Sequence, residues 1–588
     1  MKNFLIGLLI GILACGFIFL VLVLAIARFA GSFANRPVSV AEGSTLVLDL
    51  EGDVPERLPA DIPIPILQNQ TPLSVEQVWD TFRKAAADSR IRGILFEPHG
   101  LSIGWGKMEE IHDEIVQFKK SGKPIITYLH APTAREYYLA SATDKIFISP
   151  EDSLDLKGLA AESMYFKDTL DKVGVKADVI HAGKYKDAGD VLTQTSMSPE
   201  TREVLNDILD QYYGDLIGTV AQGRKKQPEA VRALLDDGPF LARDAAAAGL
   251  IDTLGYEDQA VAEMQTRLKQ SELKKVSSKA YLKTALGSAG AGRRIALVVG
   301  DGMITQGSGN ETADDESFTA TGFIKLLKQV ENDSSIQGVI LRIDSPGGDA
   351  VASDEMLHEA KNLSKKKPLV ISMSDEAASG GYYMAVTGDP IVAYPNTLTG
   401  SIGVIFARFN VRGLYDKIGV SEQILTRGRY ADIDSESTPL SEAERQKLTS
   451  QIDAFYRAFV SHVADGRKKP FDQIEPLAQG RVWLGAQARQ NGLVDQLGGL
   501  DRAIEVLKER AHMSPSERVT LVPYPGQRSI FDVLFRSRTD ALSDLAIGGD
   551  AKLRDARNRA GKILGKLPWQ VLSQHGFLKV MPYSISVH

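Results

Sequence analysis

Asp88-Ser89-Arg90-Ile91-Arg92-Gly93-Ile94-Leu95 and Asp333-Ser334-Ser335-Ile336-Gln337-Gly338-Val339-Ile340 are two versions of one phrase, 245 positions apart. Each passes from a polar turn into a β-branched apolar run, the pattern of a buried strand. The correspondence continues outward: Lys123-Pro124-Ile125-Ile126 answers Lys367-Pro368-Leu369-Val370, and Tyr137-Tyr138 answers Tyr382-Tyr383. Val220-Ala221-Gln222-Gly223-Arg224 pairs with Val463-Ala464-Asp465-Gly466-Arg467, and Ala248-Gly249-Leu250-Ile251-Asp252 with Asn491-Gly492-Leu493-Val494-Asp495. Chance does not hold an offset that drifts only from 242 to 245 over so many blocks. The period is far too long for a solenoid, so each copy is expected to be a domain.

Within each copy, short apolar runs such as Ile295–Val299, Val339–Leu341 and Leu369–Ile371 alternate with helical patterns such as Phe323-Ile324 with Leu327 and Met356-Leu357 with Ala360. That alternation predicts an α/β fold with buried, mostly parallel strands. Ser441 with Glu444 has capping-box spacing, and Ser198-Pro199 offers a cap followed by proline, so a helix is expected at matching points of both copies. The expected organisation is an N-terminal anchor (1–28), a linker (29–44), a first repeat (45–286), a Gly/Ser/Ala linker (287–292), a second repeat (293–525) and a C-terminal extension (526–588). Strand order is not readable.

The chain has 588 residues, 43% hydrophobic and 24% charged, which fits two or more folded units and excludes a largely disordered chain. Its 68 Lys and Arg against 75 Asp and Glu give a net charge of −7, which invites no nucleic-acid backbone. A single cysteine, Cys15, excludes intramolecular disulfides and Cys-rich metal sites. It lies in Phe4–Ala27, an uncharged apolar run longer than a secretory h-region and long enough to cross a bilayer. We read this run as a transmembrane anchor, with a cleaved signal peptide as the rival. Lys2 stands on one side and Arg28 and Arg36 on the other, so charge does not fix orientation. The bulk is placed outside the cytoplasm because a first hydrophobic segment so near the N-terminus commonly acts as an export signal.

Two glycine-rich turns follow strands in the second copy: Asp344-Ser345-Pro346-Gly347-Gly348-Asp349 and Asp375-Glu376-Ala377-Ala378-Ser379-Gly380-Gly381-Tyr382. In the latter, Ser379 sits where a strand gives way to a helix among small residues, the local setting of a nucleophile. In the former, Gly347 and Gly348 allow backbone N–H groups to approach a ligand oxygen, as an oxyanion hole requires. Either turn alone is equally well an ordinary strand-to-helix connection. Serine needs a base, and no histidine lies near these turns. Aligning Gly183–Asp187 with Gly428–Asp432 places Lys186 opposite Ala431, Ser379 opposite Ala134, and Pro98-His99-Gly100 opposite the Gly-Gly turn. One copy keeps a lysine and lacks the serine and glycines; the other does the reverse. Complementary loss is expected of one Ser/Lys site assembled across both copies.

Together, Ser379 in AASGGYY, the SPGG turn at 345–348, Leu398-Thr399-Gly400-Ser401-Ile402-Gly403 and Lys186 in a Tyr-Lys-Asp-Ala setting resemble the signal peptide peptidase A (protease IV) family in its long, duplicated form. The resemblance runs from about Thr45 to Leu534 and includes the anchor. It implies tandem ClpP/crotonase-like α/β domains and a Ser379/Lys186 dyad. It further implies a homotetramer on the outer face of the bacterial inner membrane, with released signal peptides and other apolar peptides as substrates. Where many relatives continue Ser-Ala-x-Glu-Pro after the lysine, this chain reads Asp187-Ala188-Gly189-Asp190. An unperturbed lysine, with a pKa of ~10.4, is protonated at neutral pH, so Lys186 must be desolvated to act as a base. The N–H groups of Gly347, Gly348 and Gly380 would hold the oxyanion, and Ser401 would orient the lysine; no metal or cofactor is required. Two rival readings are an acyl-CoA hydratase or isomerase using the same glycines, and a non-catalytic peptide-binding membrane scaffold.

Overall fold

A computed structural model describes residues 40–57, 71–284, 292–307, 318–526 and 577–580. The apolar run Phe4–Ala27, residues 287–291 of the 287–292 linker and most of the C-terminal extension lie outside the described residues, and the anchor with them. Among the described residues, no helix is long and apolar enough to cross a membrane.

The duplication is drawn in the sheets. The first repeat forms a sheet in the order Thr253–Leu254, Lys145–Ile148, Ile125–Leu129, Ile91–His99, Ser44–Glu51, Lys275–Ser277, with every pairing parallel. In the second repeat Gln496–Leu497, Ile391–Ala393, Leu369–Ala378, Ile336–Ser345, Arg293–Asp301 and Val519–Tyr524 follow the same order, again all parallel. Register is kept as well: Leu95 faces Ile126 in one sheet, and Ile340 faces Val370 in the other. Strands covered by helices on both faces read as continuous apolar runs, and Ile340, Leu341, Val370 and Ile371 are all fully buried.

The repeated motifs do repeated jobs. Lys123 Nζ donates to the carbonyls of Ala85 and Asp88, and Lys367 Nζ to those of Asp333 and Ile336, tying each Lys-Pro strand to the preceding turn. Tyr137 and Tyr382 donate from buried hydroxyls to Leu250 and Leu493 carbonyls. The expected helices are Pro199–Arg224 and Glu442–Arg467. Ser198 accepts from Thr201 N–H, and Ser441 with Glu444 forms a complete capping box.

Two local expectations change. The Gly347-Gly348 stretch is a short strand, Gly347–Asp349, beside Ile304. Gly348 makes this possible: a Cβ there would lie 2.0 Å from the Ile304 carbonyl oxygen. The strand leading to Ser379 also runs on through Ala378 rather than ending at Ser374.

A further sheet joins the repeats. Lys176–Ala182 of the first pairs antiparallel with Val404–Asn410 of the second, from Ala182 opposite Val404 to Lys176 opposite Asn410. Phe577–Val580 lies between Val404–Asn410 and Gly347–Asp349, antiparallel to both. The repeats are also locked by buried charge. Arg342, fully buried, donates to Glu56, Glu110, Ser372 and Ser374, while Lys107 Nζ lies 2.8 Å from Asp344. Asp375, just upstream of the serine, accepts the N–H groups of Gly104 and Lys107 at 2.9 and 2.7 Å. Burial pushes its carboxyl up to about 6 against the opposing pull of Lys107.

Candidate active site

Ser379 closes the strand Leu369–Ala378 and caps the helix Gly380–Ala385 with φ 51° and ψ −112°, a conformation L-residues avoid. Its backbone is held from both sides: its N–H donates to Gly400 O at 2.8 Å, and its C=O accepts Tyr383 N–H at 2.8 Å. The glycines after it permit close packing. A Cβ on Gly380 would stand 2.6 Å from Ser353 Oγ and 3.1 Å from Gly348 N, and one on Gly381 would stand 2.6 Å from Ser345 O. The two glycine-rich segments therefore converge on one point.

The antiparallel pairing of Lys176–Ala182 with Val404–Asn410 carries the following loop, Gly183–Asp190, across to the second repeat. Lys186 Nζ then lies 2.8 Å from Ser379 Oγ and 2.9 Å from both Ser401 O and Ser401 Oγ. Lys186, Ser379 and Ser401 are each fully buried. The three residues, 193 and 215 positions apart along the chain, meet within a single chain. Ser401 shares the left-handed twist of Ser379, with φ 49°.

Of the glycines, Gly380 packs directly against Gly348, whose backbone N would lie 3.1 Å from a Cβ placed on Gly380. The N–H of Gly347 differs: it donates to Ser345 Oγ at 3.2 Å, and Ser345 in turn donates to Gly302 O. Gly347 shapes the segment through its φ of 103°. The unusual Asp187 is taken up locally: it is buried, and its carboxylate accepts the Thr201 hydroxyl beside the cap of Pro199–Arg224. Ala188 packs with Ile405 and Leu578.

The matching place in the first repeat is filled. Ala134 stands at the serine position, and Glu136 accepts Leu101 N–H at 2.6 Å and Thr133 N–H at 2.8 Å, so the donors of that turn are already engaged by a buried carboxylate. Sequence reasoning missed two features. Gln479-Gly480-Arg481 packs against the Lys186 loop, yet a lone glutamine carries no motif; Gly480 was its only trace. The Arg342 lock had a readable signal, an arginine inside the apolar run Val339–Ile343.

A family model described as peptidase family S49 matches residues 117–271 and again 361–514, one match in each repeat. The chain is 37% identical over 504 residues to the chloroplastic serine protease SPPA of Arabidopsis thaliana, covering 84% of this chain and 73% of that protein. It is 30% identical to protease 4 of Haemophilus influenzae, covering 83% and 82%, and 31% identical to protease 4 of Salmonella typhi, covering 80% and 76%. Among solved structures, ClpP1 from Listeria monocytogenes aligns over 34% of this chain and 91% of its own at 15% identity, with a TM-score of 0.22. Matched in both repeats and along most of the length of these relatives, the chain belongs to peptidase family S49 and is a serine protease.

Proposed function

We propose that the chain is a membrane-anchored endopeptidase that degrades cleaved signal peptides and other apolar peptides, with Ser379 as nucleophile and Lys186 as general base, in tandem ClpP/crotonase-like domains. The observation that carries this reading is the 2.8 Å contact between Lys186 Nζ and Ser379 Oγ inside a fully buried cluster. Full burial penalises the ammonium form, and a general base must be the uncharged amine. A neutral amine has two N–H groups and one lone pair. The two N–H groups go to Ser401 O and Oγ, and the lone pair receives the Ser379 O–H.

In the reaction, Ser379 Oγ attacks the peptide carbonyl as its proton passes to Lys186 Nζ. The oxyanion is held by N–H groups of Gly348 and Gly380, each typically worth ~3–4 kcal/mol when well placed. The ammonium then gives its proton to the departing amine as the C–N bond breaks, leaving an ester on Ser379. Water, deprotonated by the same amine, releases the second product. An extended substrate fits the groove between Gly347–Asp349 and Val404–Asn410, which accommodates the extended segment Phe577–Val580.

The homotetramer and the membrane location belong to this proposal. Inside the chain, Lys176–Ala182 pairs with Val404–Asn410. Their counterparts by the repeat, 159–165 and 421–427, form no strand, and Met164 and Leu425 stand 66% and 91% exposed. The same pairing made between chains would be head-to-tail, the kind that closes a ring. The run Phe4–Ala27 would hold such a ring on the outer face of the inner membrane. The test uses full-length protein, an internally quenched leucine-rich peptide and a fluorophosphonate. Cleavage that disappears in Ser379→Ala supports the protease reading. A folded wild type that neither cleaves nor takes the label at Ser379 would favour the scaffold.

A further inference from the structure

Among the described residues, eight non-glycine residues have positive φ, and three of them surround one point: Ser379, Ser401 and Gln479 at 51°, 49° and 51°. The first two belong to the site described above. Gln479 is the third, and its left-handed backbone is of the kind that persists only where surroundings enforce it.

Those surroundings are specific. On the second-repeat side, the backbone N–H and Nε2 of Gln479 both donate to Tyr456 Oη, at 3.2 and 3.1 Å, and Nε2 also meets Glu475 Oε1. On the first-repeat side, Gln479 Oε1 accepts Lys184 N–H at 3.3 Å, and its carbonyl accepts Tyr185 N–H at 2.8 Å. These are the two backbone N–H groups immediately before that of Lys186. The next two residues complete a clip: Gly480 N–H donates to Ile402 O, and Arg481 O accepts Ser401 N–H. Gly480 must lack a side chain, because a Cβ there would lie 2.6 Å from Lys186 Cβ and backbone N. Three consecutive residues thus grip the lysine loop and the Ser401 segment at once.

The repeat supplies an independent check. The alignment that matches Val220–Arg224 with Val463–Arg467 and Ala248–Asp252 with Asn491–Asp495 puts Asp236 and Asp237 opposite Gln479 and Gly480. In the first repeat these two end a helix, Pro228–Asp237, and no left-handed turn occurs there. The glutamine turn exists only in the repeat that must hold a lysine from the other.

We propose that Gln479 is a positioning residue that sets the Lys186 amine against Ser379 by fixing the Lys184–Tyr185 backbone across the repeat junction. The proposal rests on the Ser379/Lys186 reading. Its test is steady-state cleavage of a quenched leucine-rich peptide by full-length Gln479→Gly, Gln479→Asn and Tyr456→Phe, with fluorophosphonate labelling rates and thermal melts. Glycine accepts the left-handed backbone and keeps the carbonyl, so it isolates the side chain. The expected result is a kcat lowered roughly 10- to 100-fold in Gln479→Gly with KM unchanged, in line with small displacements of a catalytic group. Labelling at Ser379 slows in parallel. Gln479→Asn recovers part of the rate, and Tyr456→Phe, which keeps the glutamine but loosens its anchor, shows a smaller loss of the same kind. If Gln479→Gly does not fold, Tyr456→Phe carries the test alone. Wild-type kcat and labelling rate in folded Gln479→Gly and Tyr456→Phe, alongside inactive Lys186→Ala, would overturn the positioning role and leave the dyad standing. Full activity in Lys186→Ala would overturn both.

Discussion

At the scale of single residues, the site is a set of backbone exceptions. Ser379 and Ser401 adopt left-handed conformations, and Gly348 and Gly380 approach so closely that a methyl group would collide with its neighbours. Ser379 and Lys186 were legible because duplication makes a loss visible: Ala134 and Ala431 mark what each copy gave up. Gln479 was illegible because its role lies in hydrogen bonds to backbone groups 295 positions away, which leave no spacing signature. Ser401 offers both its carbonyl and its hydroxyl to the lysine, so Ser401→Ala should keep the carbonyl contact and lose the other. A hydrogen bond of this kind is worth about 1–3 kcal/mol, roughly a 5- to 150-fold fall in kcat. Steady-state kinetics on the quenched peptide checks it; an unchanged kcat would show that the hydroxyl does not orient the amine.

At the scale of elements, the capping residues Ser198 and Ser441 were readable, because a helix start has a local chemical cause. Strand order was not, since it depends on which crossover packs against which sheet, and this is a non-local choice. The same limit hid the pairing of Lys176–Ala182 with Val404–Asn410, although that pairing delivers the lysine. It also hid Phe577–Val580, whose Leu578 is buried against Ile405 and Ala188. That strand fills the groove in which an extended substrate would pair. Ending the chain at Gly576 should therefore lower KM for the leucine-rich peptide with little change in kcat. An unchanged KM in the shortened protein would mean that the substrate binds along another edge.

At the scale of the whole molecule, two repeats share one sheet order, and in the proposed mechanism each supplies part of a single site. The buried lock of Arg342 with Glu56 and Glu110 holds the halves in register, and removing one partner of such a cluster typically costs about 3–5 kcal/mol. Beside it, Glu114 is 4% exposed, and burial pushes its carboxyl from the ordinary 4.5 up to about 8 against the pull of Arg83. The folded protein thus binds this proton more tightly than the unfolded chain does. Its contribution is full below pH 4.5 and is lost as pH rises through about 8. Melting temperature should fall over that range in wild type and fall less in Glu114→Gln; parallel curves would remove Glu114 from the account. In the proposed mechanism a lysine from one repeat activates the serine of the other. Its most direct test is the peptide-cleavage rate of full-length Lys186→Met, which preserves an apolar fit without a base. A loss of roughly 10²- to 10⁴-fold with the melting temperature retained is expected; a rate within a few-fold of wild type would show that Lys186 is not the base.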